Sequence, residues 1–146
     1  MFRTLRGFLT GQEDDGDVYF AYSATLRISG EHLDFDNIRQ TLRVSPTHCH
    51  RKGERKGQLA PPYAQDMWSY KPPVPGEHPL EEHINALWAD IQPAKAYLLT
   101  LKETSTVDVF LGYRSNSDTA GLEIPHTCLA MFVELEIPFG LSIIIA

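Results

Sequence analysis

Val18-Tyr19-Phe20-Ala21-Tyr22-Ser23-Ala24-Thr25-Leu26-Arg27-Ile28 is the stretch that decides the fold. Val18, Phe20, Tyr22, Ala24, Leu26 and Ile28 alternate with Tyr19, Ala21, Ser23, Thr25 and Arg27. Successive side chains of an extended chain point to opposite faces, so this period of two predicts a strand with one face on a core. Val107, Val109, Leu111 and Tyr113 repeat the pattern, as do Ile137, Phe139, Leu141, Ile143 and Ile145. The last set predicts a strand paired within the sheet. Asp66 to Lys71, with Met67, Trp68 and Tyr70, reads as a further strand.

Helical spacing fills the intervals. Asp34 can cap a helix carrying Phe35, Ile38 and Leu42 on one face, with Pro46 preventing its continuation. The section from there to about residue 63 is polar and basic, and predicts a hairpin or long loop. Pro79 suits a helix start, after which Leu80, Ile84, Leu87, Trp88 and Ile91 share a face. Pro93 separates that helix from one bearing Ala94, Tyr97, Leu98 and Leu101. A last helix begins at Pro125, with Cys128, Leu129, Phe132 and Leu135 inward. Cleanly alternating strands bury one face each. The expected class is therefore α+β: one mainly antiparallel, mixed sheet with helices on one face, ferredoxin-like or a related sandwich.

Composition bounds the function. A chain of 146 residues makes one domain. Residues 1–16 read as a flexible lead-in and 17–146 as the single α+β domain. No apolar run approaches the roughly 20 residues that span a bilayer. Arg3 and Arg6 interrupt the apolar start and argue against a signal peptide, so a cytoplasmic protein is expected. Cys49 and Cys128 are then expected to be free thiols. A formal charge of −6 argues against nucleic acid as the partner, because that affinity rests on neutralising phosphates.

The segment Pro46-Thr47-His48-Cys49-His50-Arg51-Lys52-Gly53-Glu54 concentrates the reactive side chains. On a strand His48 and His50 point the same way and Cys49 the other, so only the two histidines could share a metal ion. Further ligands would have to come from His83, His126 or Cys128. Cys128 lies on an apolar face and reads as a small buried hydrophobe. Arg51 and Lys52, with Arg55 and Lys56 behind them, could bind an anion, but the phosphate-loop pattern is absent. Glu81 and Glu82 suit the first turn of a helix, and His83 falls on its apolar face. No nucleophile elbow or dinucleotide fingerprint is present. The off-core strand face carries Ala21, Ser23, Thr25, Gly112, Gly140 and Ser142, rimmed by Tyr19, Arg27 and Arg114. Such a face is open to solvent, a dimer surface or the floor of a groove.

The opening strand and helix through "SPT", the following "RKGE", the "WSYK" strand, the "PLEEHINALWADIQP" helix and "VDVFLGYRSNSDTAGLEIP" occur in a fixed succession. That succession, over residues 18 to 145, resembles the mostly bacterial family of domain of unknown function 4279. The resemblance implies Pro46, Lys52, Gly53, Trp68, Leu80, Glu81 and His83 as its patterned points. It implies no reaction, no catalytic residues and no cofactor. Some proteins of this size and acidity are immunity proteins against toxins, though no residue here identifies a toxin. Trp68 is expected to pack on the Leu80 helix, and Glu81 to pair with Arg51 or Lys52.

The function expected is a non-enzymatic binding or protein-interaction module, whose partner is another protein or a second copy. The alternative is a small-molecule, anion or metal-dependent enzyme near His48, His50, Arg51, Lys52 and Trp68. Ligand-contacting residues on that alternative are Arg51, Lys52, Trp68, Glu81, His83, Arg27 and Arg114.

Overall fold

A computed structural model of the chain describes residues 17–119 and 121–146. The expected lead-in, residues 1–16, lies outside them. Five strands and four α-helices follow in the order β1 (Phe20–Gly30), α1 (Phe35–Leu42), β2 (His48–His50), β3 (Asp66–Tyr70), α2 (Leu80–Ile91), α3 (Lys95–Leu101), β4 (Thr106–Ser115), α4 (Ala130–Glu134) and β5 (Leu141–Ile145). Short 3-10 turns at Gln92–Ala94 and His126–Leu129 lead into α3 and α4. Among the described residues no helix is long and apolar enough to cross a membrane.

The strands form one sheet in the order β2-β3-β1-β4-β5. β1 runs antiparallel to β3 and β4, and β3 runs antiparallel to β2. By succession β2 is parallel to β1, and β4 parallel to β3. Each of these helix-linked pairs has a strand of the other unit between its members, which is the βαββαβ plan of interleaved units. To this plan the chain adds α4 and β5, and β5 pairs parallel with β4. The expected α+β class with a mixed sheet and helices on one face is what the structure has.

Burial follows the alternation in β1. Ala24, Leu26 and Ile28 are wholly buried, and they share one core with Ile38 of α1, Ile84 and Leu87 of α2, Leu98 of α3 and Phe132 of α4. Trp68 joins that core with no exposed surface. The other face lines up cross-strand rows. One reads His48, Ser69, Arg27, Asp108 across four strands, and its neighbour reads His50, Met67, Ser29, Thr106. Close approach explains part of the small-residue stripe on this face. A Cβ on Gly112 would stand 2.6 Å from the Ser23 hydroxyl oxygen, which faces it across the strand pair.

One element end differs from expectation. The final strand does not start at Ile137. Glu136 takes a left-handed conformation (φ 54). Its amide donates to the Val133 carbonyl, and the Ile137 amide donates to the Phe132 carbonyl. That pair of bonds is a Schellman cap on α4, built on glutamate where glycine is usual. Lys102 completes it, its Nζ donating to the Leu135 and Glu136 carbonyls at 2.9 and 2.7 Å. Ile137 is therefore buried as a helix stop, and β5 begins only at Leu141. β5 is paired within the sheet as expected, but it lies at the sheet's edge with most of its surface exposed. α1 ends at Leu42 as expected, ahead of Pro46, through a left-handed Arg43.

Trp68→Ala removes the largest fully buried side chain. We predict a loss of about 3–5 kcal/mol in urea denaturation. An unchanged midpoint would contradict its place in the core.

Candidate functional site

The cationic segment is organised by one carboxylate. Asp66 opens β3 opposite Gly30 of β1. Its side chain is buried, 7% exposed. Oδ2 accepts from the Leu33 amide at 3.0 Å and from Arg51 Nη1 at 2.8 Å. Oδ1 accepts from the Lys52 amide at 2.8 Å. The Lys52 amide beside it, with Arg51 and the Leu33 amide, holds the carboxyl below the usual aspartate range, although burial acts in the opposite sense. Three chain segments thus meet at Asp66: the turn between β1 and α1, the exit from β2, and the start of β3.

Arg51 is engaged by both edge and face. Besides Asp66, Nη1 donates to the Leu33 carbonyl at 2.7 Å, and the guanidinium lies 3.7 Å over the Phe35 ring. Lys52 Nζ reaches Glu31 at 3.2 Å. The expected pairing of Glu81 with Arg51 or Lys52 is not present. Asp66 and Glu31 take those positions, and the charge of Glu81 is felt instead at Cys128. After Lys52 the chain turns at Gly53, whose φ of +88 suits a residue without Cβ. The Gly53 amide donates to the Tyr63 carbonyl and the Tyr63 amide to the Glu54 carbonyl. This short ladder delivers the Tyr63 ring onto His50, with centroids 3.5 Å apart and planes 8° from parallel.

His48 and His50 do share a face, as their spacing requires. Nε2 of His48 and Nδ1 of His50 are 3.1 Å apart. Cys49 is exposed, in register with Trp68 and so on the other face. His126 and Cys128 do not join them. Cys128 is buried by the helix layer, its thiol 3.4 Å from Asn85 Oδ1, and burial followed by Glu81 pushes its pKa up. Among the described residues no three His, Cys, Asp or Glu side chains gather as a metal site.

The remaining candidates are dispersed. His83 is buried in α2, with Nε2 bonded to the His78 carbonyl at 3.1 Å. Burial lowers its pKa, against the raising effect of that carbonyl. His83 Nδ1 and Trp68 Nε1 are buried without a hydrogen-bond partner. Arg27 forms a two-pronged pair with Asp108, at 2.8 and 3.0 Å, and lies over Phe110. Arg114 is exposed in register with Ala21. Asp66, Phe35 and Tyr63, which hold the cationic segment, are not marked by sequence spacing. The available signal is an acid opening an otherwise apolar strand.

A lowered carboxyl pKa adds stability above the unfolded aspartate value of 3.8, and that contribution is lost as pH falls through the folded value. Asp66→Asn is therefore predicted to lower stability at neutral pH. The gap to the parent should narrow as pH drops below about 3.8. Chemical denaturation at a series of pH values checks this, and a gap constant with pH would contradict it.

Comparison with known proteins places this architecture. A family model described as domain of unknown function (DUF4279) matches residues 20–145, which covers every strand and helix above. No curated protein and no solved structure matches the chain. The chain belongs to the DUF4279 family.

Proposed function

We propose that this member of the DUF4279 family is a non-enzymatic protein-interaction module, that its contact is the free edge of β5, and that a second copy of the chain occupies it. The observation that carries the reading is the state of that edge. Ile143, Ile144 and Ile145 are 59%, 50% and 56% exposed. Among the described residues β5 pairs with β4 on one side and ends the sheet on the other. It contains no charge and no proline, the usual devices that keep an edge from pairing.

The backbone supports an ordered contact. The Ala146 amide donates to the Ser115 carbonyl on β4. Strand amides alternate sides, so those of Ile143 and Ile145 point outward. An antiparallel partner β5 would meet them with matching groups, since a two-fold axis makes one strand complementary to itself. The absence of charge in the strand favours a copy, because two chains of net charge −6 meet there without local repulsion. A five-residue strand supplies only part of the roughly 800 Å² per partner of a standard interface. Phe139, 44% exposed and two residues before the strand, adds apolar surface beside it.

An anion site at Arg51 and Lys52 gains less support. Both cationic groups already have acidic partners within the chain.

Native mass spectrometry and light scattering of the full chain test the proposal with Ile143→Lys. The parent is expected to be dimeric and the variant monomeric, with an unchanged circular dichroism spectrum. A monomeric parent, or a variant that keeps the parent's mass, would sink it.

A further inference from the structure

The His48–His50 pair carries an assignment independent of the β5 edge. We infer that these two side chains form a bidentate site for a divalent late transition-metal ion, Cu²⁺ above all.

The geometry comes from the strand. Residues two apart on β2 project to one face, and the two rings tilt by 60° so that Nε2 of one and Nδ1 of the other converge to 3.1 Å. Two imidazole nitrogens bound to one ion at about 2.0–2.1 Å stand about 2.9 Å apart at a right angle and about 3.3 Å apart at a tetrahedral angle. The observed separation falls between these limits. An ion can replace the hydrogen bond between the rings once each ring turns its nitrogen lone pair about 40° off the line joining the two nitrogens. In the hydrogen-bonded pair one of the facing nitrogens carries a proton. Both rings can present lone pairs when that ring changes tautomer, its proton moving through solvent to the opposite nitrogen.

One ligand is held and the other is accessible. His50 is buried at 9% exposure and stacked on Tyr63, so its ring is positioned before any ion arrives. His48 is exposed and gives the entry. The His48 carbonyl accepts from the Ser69 hydroxyl at 3.1 Å, which ties β2 to β3 beneath the site. Met67, cross-strand from His50, puts a thioether residue on the same face.

The ligand count selects the ion. Catalytic zinc sites use three protein ligands, and no third His, Cys, Asp or Glu joins this pair among the described residues. Two imidazoles in cis positions suit a tetragonal ion that completes its sphere with water or an exogenous ligand. Affinity for such donors peaks at copper in the divalent series. The cation nearest along the His48 row, Arg27, has its charge matched by Asp108 and so does not oppose an incoming ion.

The test titrates the full chain with Cu²⁺ in the presence of glycine as a competing chelator. Affinity is read by calorimetry and the coordinating nitrogens by electron paramagnetic resonance. The expected result is a first equivalent with two imidazole nitrogens. It should be bound at least ~10-fold more weakly after His48→Ala. His48 is exposed, so that variant is expected to fold, and a circular dichroism spectrum checks it. His78→Ala should leave affinity and nitrogen signature unchanged. A first equivalent whose affinity and signature survive His48→Ala would overturn the assignment. So would a parent chain with no advantage over that variant.

Discussion

The buried carboxylate of Asp66 is the contact on which the cationic segment and the strands around it depend. A carboxylate removed from water is costly unless hydrogen bonds and an opposite charge replace the solvent. Here two amides and a guanidinium do so. In return the carboxylate fixes where β1 hands over to α1 and where β2 releases the chain. The most conspicuous sequence motif, two cations after two histidines, is thereby a latch. Its positive charges meet two acids and the Phe35 ring. Its histidines are left on the sheet face.

The fold divides labour between faces and edges. Interleaving two helix-linked strand pairs puts β1 at the centre of the sheet. The helix layer seals one face, where Ile84, Leu87 and their neighbours pack on Leu26, Ile28 and Trp68. The opposite face keeps cross-strand rows of polar and small residues. The two edges differ in character. The β2 edge is three residues long and carries both histidines. The β5 edge is apolar, uncharged and added beyond the βαββαβ plan. A sheet that ends on three exposed isoleucines has unused pairing capacity, and the proposed self-association draws on it.

Much of this is legible from spacing. β1, β4, α2 and the break at Pro93 follow directly from periods of two and 3.6, because each element buries one face against a common core. The misjudged element is the final strand, whose start is set by backbone conformation. Glu136 adopts a left-handed cap without glycine to mark it. The apolar alternation through Ile137 and Phe139 consequently passes for strand. For the site, the pairing of His48 and His50 on one face is readable from their separation. The partners of Arg51 and Lys52 are not, since Asp66 and Glu31 lie 15 and 21 residues away from them in sequence. Only tertiary structure brings these groups together.

In the proposed dimer a second β5 covers the outer edge of β5. Residue-resolved hydrogen exchange of the Ile143 and Ile145 amides, followed as a function of protein concentration, tests it most directly. These amides point away from β4, and no described strand lies on that side, so protection that rises with concentration reports a partner strand. Their exchange is expected to slow as concentration rises, while core amides of β1 stay unchanged. Exchange at the same fast rate at every concentration, in a chain that remains folded, would contradict it.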